Sequence, residues 1–394
     1  MTALSVVLSV LCGFTLAVWL SRHAMIFLEK RQGFILTQEY GKCQADQQPH
    51  ISVVVAAKDE EAVIRTCVSS MLEQNYPNFD LTVANDRSGD RTGQIVAELA
   101  KEDSRLRLVN IQTLPEGWCG KSNAMQQAIA QTRGEWICMI DADCRQTSPR
   151  SLSSAIAYAQ DQKADMLSVL PTLEMKGFWE NIVQPVCGGI MIIWFNPARV
   201  NSDRRKEAYA NGAFMLIRRG AYQAVGTHEA IKDRINEDMH LARRIKQAGL
   251  RLRVVRNDGL YVTRMYTSLR QIVRGWGRIF FGTFGSFRRI VISLAVLTVM
   301  GLMPYVSLAL AGAALAAGVA AASFWHVTLV LAGLAVLAQL TVIYRFYGLV
   351  GARQRLFWSY PIGCAVGMVC LGVSLSKLRK GAAITWRGTS YAKK

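Results

Sequence analysis

Asp141-Ala-Asp143 closes an apolar run, Trp136-Ile-Cys-Met-Ile140. Side chains two residues apart on a strand share a side, so two carboxylates can face one hard cation, Mg²⁺ or Mn²⁺, which can also hold two phosphate oxygens. A diphosphate leaving group needs that neutralisation. A second acidic group, Asn236-Glu-Asp-Met-His240, opens a helical period running to Gln247. Locally this reads as an Asn236 N-cap with Glu237 and Asp238 favouring the helix dipole. The same geometry holds an acid where it can take the proton of an attacking hydroxyl; Asp238 is the candidate base and Glu237 its support. A third group, Leu269-Arg-Gln-Ile-Val-Arg-Gly-Trp-Gly-Arg278, sets Arg270, Arg274 and Arg278 on one helical stripe. That stripe suits a helix lying on anionic lipid. Arginine also grips diphosphates and tryptophan stacks on sugars or lines an acceptor channel, so Arg274 and Trp276 are candidates for substrate contact.

The elements that position these residues are legible as alternating periods. Ile51–Ala57 reads as a buried strand, Ala62–Gln74 as a helix, Leu81–Ala84 as a strand and Thr92–Ala100 as a helix. Leu106–Ile111 is the third strand, Ser122–Thr132 a helix and Trp136–Ile140 the fourth strand. Ser148 as cap and Pro149 at the first position predict the next helix, and Ala164–Leu170 a further strand. Such alternation argues for an α/β fold with a mostly parallel sheet covered by helices. Ligands bind beyond the carboxyl ends of such strands. Asp59 follows the first strand, Asp86 the second, and Asp141 with Asp143 the fourth. Asp is also an ordinary turn residue and cap, so the argument lies in their convergence.

Flanking this domain the chain is apolar. Met1–Leu20 is uncharged and followed by Arg22, His23, Lys30 and Arg31, the reverse of a signal peptide, which predicts an uncleaved anchor whose C-terminal side is cytosolic. Ile290–Ala322, Val327–Val350 and Phe357–Leu375 each exceed the roughly 20 residues a span requires. All 28 acids lie between Glu29 and Asp258, so most of the net charge of +18 belongs to the C-terminal part. An acid-free, basic and apolar region favours a membrane over nucleic acid as partner. Three crossings after the anchor would leave Lys377-Leu-Arg-Lys380 outside, against the positive-inside tendency. Either Ile290–Ala322 turns back near Pro304 and Gly312, or one segment lies in the interface; the expected C-terminus is cytosolic. Nine cysteines without CxxC pairs indicate a reduced compartment, with Cys67 and Cys138 as core residues.

Asp86, Asp141-Ala-Asp143, Glu237-Asp238 and Gln271-x-x-Arg274-x-Trp276, in this order, resemble the motifs of family 2 membrane glycosyltransferases. That group includes ceramide glucosyltransferase, the cellulose, chitin and hyaluronan synthases, and bacterial lipid glycosyltransferases. Gly120-Lys-Ser-Asn-Ala124 and Ile384-Thr-Trp-Arg-Gly388 resemble its lipid-directed members. The resemblance implies a GT-A type nucleotide-sugar-binding domain, a UDP-sugar or similar donor, and inversion at the anomeric carbon. It implies Asp86 at the base or ribose with Lys121 nearby, Asp143 on metal and diphosphate assisted by Asp141, and Asp238 as base; Asp59 and Gln271 join the expected substrate contacts. Processive synthases usually have Arg and Trp adjacent, whereas Gly275 separates Arg274 from Trp276 here.

The expected organisation is a transmembrane anchor over 1–30, a cytosolic catalytic domain over 50–258 and interfacial basic and aromatic helices over 259–289. Transmembrane helices over 290–378 and a basic tail over 379–394 follow. The expected activity is metal-dependent transfer of a sugar to a lipid acceptor at a bacterial inner membrane or its equivalent, with no nucleic-acid partner. The alternatives are a processive polysaccharide synthase and, outside the enzymes, a membrane-tethered nucleotide-sugar binding protein. A transporter leaves the acids unexplained, and a dinucleotide oxidoreductase lacks GxGxxG after the first strand.

Overall fold

A computed structural model describes residues 2–29, 34–41, 48–319, 322–378, 384–386 and 389–391. The chain divides into two compact units. One holds residues 1–33, 175–193 and 266–382, and the other holds 34–174, 194–265 and 383–394. The chain opens in the first unit with helix α1 (Thr2–Glu29).

The second unit is built on an eight-stranded sheet of order β1-β10-β7-β9-β5-β2-β3-β4. These strands are β1 (Ile35–Thr37), β2 (Ile51–Ala57), β3 (Phe79–Asp86), β4 (Leu106–Ile111), β5 (Trp136–Asp141), β7 (Met166–Leu170), β9 (Phe214–Arg218) and β10 (Leu252–Asp258). All neighbours are parallel except β9, which runs antiparallel to both β5 and β7. A small sheet joins β6 (Cys144–Gln146), β8 (Thr172–Leu173) and β11 (Tyr261–Thr263). Crossovers are α2 (Ile64–Leu72), α3 (Thr92–Glu102), α4 (Gly120–Ala130) and α5 (Ser151–Asp161). The apolar runs of β2 and β5 are buried almost along their length, as strands covered on both faces must be. One expected start is corrected. Ser148 and Pro149 precede the helix, Ser148 Oγ accepts the Arg150 N–H at 3.2 Å, and α5 begins at Ser151.

The first unit collects α1, α6 (Phe178–Trp194), α10 (Leu269–Phe284), α11 (Phe287–Val296), α12 (Met303–Ala316), α13 (Ala322–Leu349) and α14 (Tyr360–Ser376). The intervening α7 (Pro197–Val200), α8 (Arg219–Ala224) and α9 (Glu237–Gln247) belong to the sheet unit. Among the described residues four helices are long and apolar enough to cross a membrane: Ala3–Ile26, Phe287–Ala316, Phe324–Leu349 and Gln354–Ser376.

The expected break at Pro304 does not turn the chain back. Helices α11 and α12 join through a π-helical turn, Leu297–Leu302. Pro304 has no N–H to offer the Met300 carbonyl one turn earlier. Trp19 Nε1 (3.1 Å) and Gln339 Nε2 (2.6 Å) donate to that oxygen instead, so the helix continues with its backbone satisfied.

The return occurs after α13. Gln354 Nε2 donates to the Tyr344 carbonyl at 3.1 Å and Phe357 packs on the Tyr344 ring, so the chain doubles back along α13. α14 then starts beside Trp19 and Gly301 and descends past Leu297 and Thr298 to Gly277 on α10, which leads directly into α11. Its C-terminal half therefore packs against α10 at Gly277. The tail forms a hairpin, β12 (Ile384–Trp386) with β13 (Thr389–Tyr391). Arg387 and Gly388 of the expected tail motif, and most of 379–394, lie outside the described residues.

Candidate active site

The parallel register brings the carboxyl ends of β2, β3 and β5 to one edge, with Ala57 beside Asn85 and Ala56 beside Asp141. Asp59, Asp86, Asp141 and Asp143 therefore share that edge. At its centre Lys121, in the first turn of α4, lies 2.6 Å from Asp141 Oδ1 and 2.6 Å from Glu237 Oε1. Two acids 96 positions apart in sequence are thus held by one ammonium. Burial opposes the charge on Lys121, but Asp141, Glu237 and Asp238 outweigh it and push its pKa well up.

Asp238 stands at the start of α9. Its Oδ2 accepts the Gly212 N–H at 3.0 Å and its Oδ1 the Met239 N–H at 2.6 Å. Burial and the neighbouring Glu237 charge push its pKa up to about 7, against the pull of Lys121. Asn236 occupies the N-cap position with Glu237 and Asp238 in the first turn, as the local pattern predicts, although its side chain makes no capping bond. Gly212 forms a wall of the cluster: a Cβ there would meet Lys121 Nζ at 3.0 Å, Glu237 Oε1 at 3.4 Å and Asp238 Oδ2 at 3.6 Å.

Asp143 sits in the turn between β5 and β6. Burial and the charge of Asp141 raise its pKa to about 6, while Thr263 hydrogen-bonds the carboxylate and lowers it. Four carboxylates therefore gather around one ammonium, an excess of negative charge that suits a divalent cation. Among the described residues no group of three or more metal-ligating side chains forms. Two carboxylates with the remaining positions left to phosphate and water is the usual manner of holding Mg²⁺, so Asp141 and Asp143 fit such an ion.

Asp59 and Asp86 are engaged within the edge loops. Asp59 takes a left-handed conformation (φ 53°), and its Oδ1 accepts the Gly89 N–H at 2.8 Å. Asp86 is buried, with both oxygens held by Arg87 at 2.7 and 3.0 Å. Gln271, Arg274 and Trp276 lie on α10, in the other compact unit. Gln271 Oε1 accepts the Thr267 N–H at 2.9 Å while Ser268 Oγ accepts the Gln271 N–H, a reciprocal cap. Trp276 is 6% exposed and packs on Phe280. A Cβ at Gly275 would lie 2.1 Å from Tyr266 Cζ, so the residue separating Arg274 from Trp276 is a seat for that ring.

Sequence reasoning missed Gly212 and Thr263. The small residues Asn211-Gly-Ala ahead of β9 were the available signal, but nothing in their spacing points to α9. The eight described cysteines are reduced and buried, and burial pushes the Cys67, Cys138 and Cys144 thiols up, away from reactivity.

Residues 52–226 match the family described as glycosyl transferase family 2. The chain is 30% identical over 216 residues to a beta-monoglucosyldiacylglycerol synthase of Trichormus variabilis, covering 54% of this chain and 44% of that one. It is 24% identical over 204 residues to a poly-beta-1,6-N-acetyl-D-glucosamine synthase of Staphylococcus epidermidis, covering 50% and 46%. The chain thus spans about half the length of these relatives. Among solved structures, a mannosyltransferase from Pyrobaculum calidifontis, in complex with GDP-Man and Mn²⁺, superposes with a TM-score of 0.54 at 19% identity over 92% of this chain and 99% of that one. The sheet unit has a GT-A fold, and residues 52–226 carry the match to glycosyl transferase family 2.

Proposed function

We propose that this chain transfers a sugar from a nucleotide-sugar, a UDP-sugar first among candidates, to a lipid acceptor, with inversion and with the sheet unit in the cytosol. The observation that carries the reading is the cluster joining Asp141, Lys121, Glu237 and Asp238. It sets a candidate base beside two acids suited to a metal-bound diphosphate. Asp141 and Asp143 would hold Mg²⁺ or Mn²⁺, which supplies charge neutralisation to the leaving diphosphate. Asp238 accepts the proton of the acceptor hydroxyl, and the Gly212 and Met239 N–H groups fix its two oxygens. Lys121 keeps the acids in place. Asp59 and Asp86 are assigned to the nucleotide side, and Gln271, Arg274 and Trp276 to substrate contact by resemblance. The GDP-Man and Mn²⁺ bound to the Pyrobaculum calidifontis neighbour and the lipid-glucosylating relatives support this reading.

In the same proposal three helices cross the membrane and α14 re-enters it. The packing of the C-terminal half of α14 on Gly277 of α10, the helix that leads into α11, supports a tail on the side from which α11 enters. A C-terminal reporter that fluoresces only in the cytosol is expected to be bright; alkaline phosphatase activity at that end would reverse the topology.

The test of the reaction is incubation of the purified chain in lipid with a panel of nucleotide-sugars, Mn²⁺ and membrane extract, with the product identified by mass. A single sugar on a lipid is expected. A ladder of chain lengths would favour the processive alternative, and donor binding without product the non-catalytic one.

A further inference from the structure

We propose that the membrane unit holds a site for the uncharged polar end of a glycerolipid, built around Gln184, Tyr305 and Tyr347; the choice of ligand rests on the lipid-acceptor reading above.

Gln184 on α6 is 1% exposed, and neither its amide nitrogen nor its oxygen has a hydrogen-bond partner among the described residues. The hydroxyls of Tyr347, fully buried, and of Tyr305 are likewise unmet. These groups come from α6, α12 and α13, yet they share one layer. Asn181, one turn before Gln184, accepts the Arg353 N–H at 2.8 Å, and Gly189, one turn after, faces Phe346. Tyr347 lies in the stretch of chain between those two contacts. Cys187 meets Cys364 and Cys370, and Tyr305, Tyr347 and Tyr360 all lie within electrostatic reach of Cys364.

In hydrocarbon a buried polar group without a partner is costly, and an intramembrane polar side chain marks function more often than packing. A chain needing only packing could carry Met and Phe at 184 and 347. The layer is also neutral. Glu180 is turned onto the Lys176 and Gly177 N–H groups, and Arg345 is exposed. An amide and two phenols offer donors and acceptors without charge, which suits a free hydroxyl and ester carbonyls rather than a phosphate. Diacylglycerol is the matching class.

The test uses the full chain in phosphatidylcholine nanodiscs, without donor, and measures retention of labelled dioleoylglycerol. Gln184→Met and Tyr347→Phe remove only polar atoms and keep side-chain volume, so both variants should fold. Each is expected to lower retention about tenfold, the loss of one well-made hydrogen bond. Retention unchanged in both, with a raised melting temperature, would overturn the site. An equal dependence for phosphatidylcholine, which lacks a free hydroxyl, would overturn the ligand class. Glycosylation of diacylglycerol at full rate by both variants would remove the site and leave the proposed function standing. Binding that needs Gln184 in a chain that glycosylates no lipid would do the reverse.

Discussion

At the sheet edge one ammonium lies 2.6 Å from each of two acids, with two further carboxylates left over. In the membrane unit one carbonyl, that of Met300, is met by two side-chain donors. The first region keeps an excess of charge that its own residues do not cancel. The second cancels a backbone defect completely, because lipid offers no water to do so. A region exposed to ions can afford to leave charge for a ligand, whereas a region in hydrocarbon has to close its account with side chains unless a ligand is due there. The contrast separates polar groups kept for chemistry from those kept for structure.

The comparison breaks first at Asp238. Asp238→Asn is expected to lower transfer by a factor on the order of 10²–10⁴, the range for a lost general base, while nucleotide binding stays measurable by calorimetry. Near-normal turnover would take Asp238 out of that role. The same variant sharpens the stability side. Asp238 has a folded pKa raised above its unfolded value, so the folded state holds the extra proton and stability falls as pH rises from about 4 to about 7. Asp238→Asn should therefore melt higher than the parent at pH 8 and equally at pH 3.5. Transfer by the parent should rise with pH through neutrality, as the base loses its proton; a rate falling over that range would oppose the assignment.

Lys121→Met should come next. It leaves Glu237 buried without its cation, at a cost on the order of 3 kcal/mol, reduced by the partial exposure of Lys121. Chemical denaturation of Lys121→Met, Glu237→Gln and the double variant measures the coupling, expected above about 1 kcal/mol. Additive losses would mean that the pair is not a unit. In the membrane unit Gly363→Ala is expected to cost about 1–3 kcal/mol, because its Cβ would lie 2.2 Å from the Ile182 carbonyl oxygen. A detergent melting curve unchanged by that substitution would deny the α6 to α14 contact. The smallest effect on stability belongs to Gln271→Ala, which removes a cap worth roughly 1 kcal/mol. If that variant instead loses transfer without loss of stability, Gln271 touches substrate.

Much of this was written in the chain. The alternating periods from Ile51 to Leu170 located each of the five strands and the four helices within a few residues, and the acids at their ends marked the working edge. Those signals are local, and periodicity reports them. Lys121 was legible only as a neighbour of the nucleotide. Its pairing with Glu237 depends on how α9 returns to α4, which no local pattern encodes. The antiparallel β9 between two parallel neighbours was hidden for the same reason. Pro304 was read as a break because helix rules assume that a lost hydrogen bond stays lost. Trp19 and Gln339, 285 and 35 positions away, supply what the rule could not anticipate. The number of crossings was ambiguous by composition alone, since a re-entrant helix is as apolar as a spanning one.

The bond between Trp19 and Met300 has a consequence for biogenesis. α1 leaves the ribosome before the sheet domain, yet the carbonyl that receives Trp19 and the Thr328 hydroxyl that meets Ser9 are made some 300 residues after it. The entire sheet domain is synthesised while α1 waits in the bilayer without its companions. Truncation between the end of the sheet unit at Met265 and Met300 should leave a sheet domain whose first helix is exposed to quality-control proteases that recognise unassembled membrane segments.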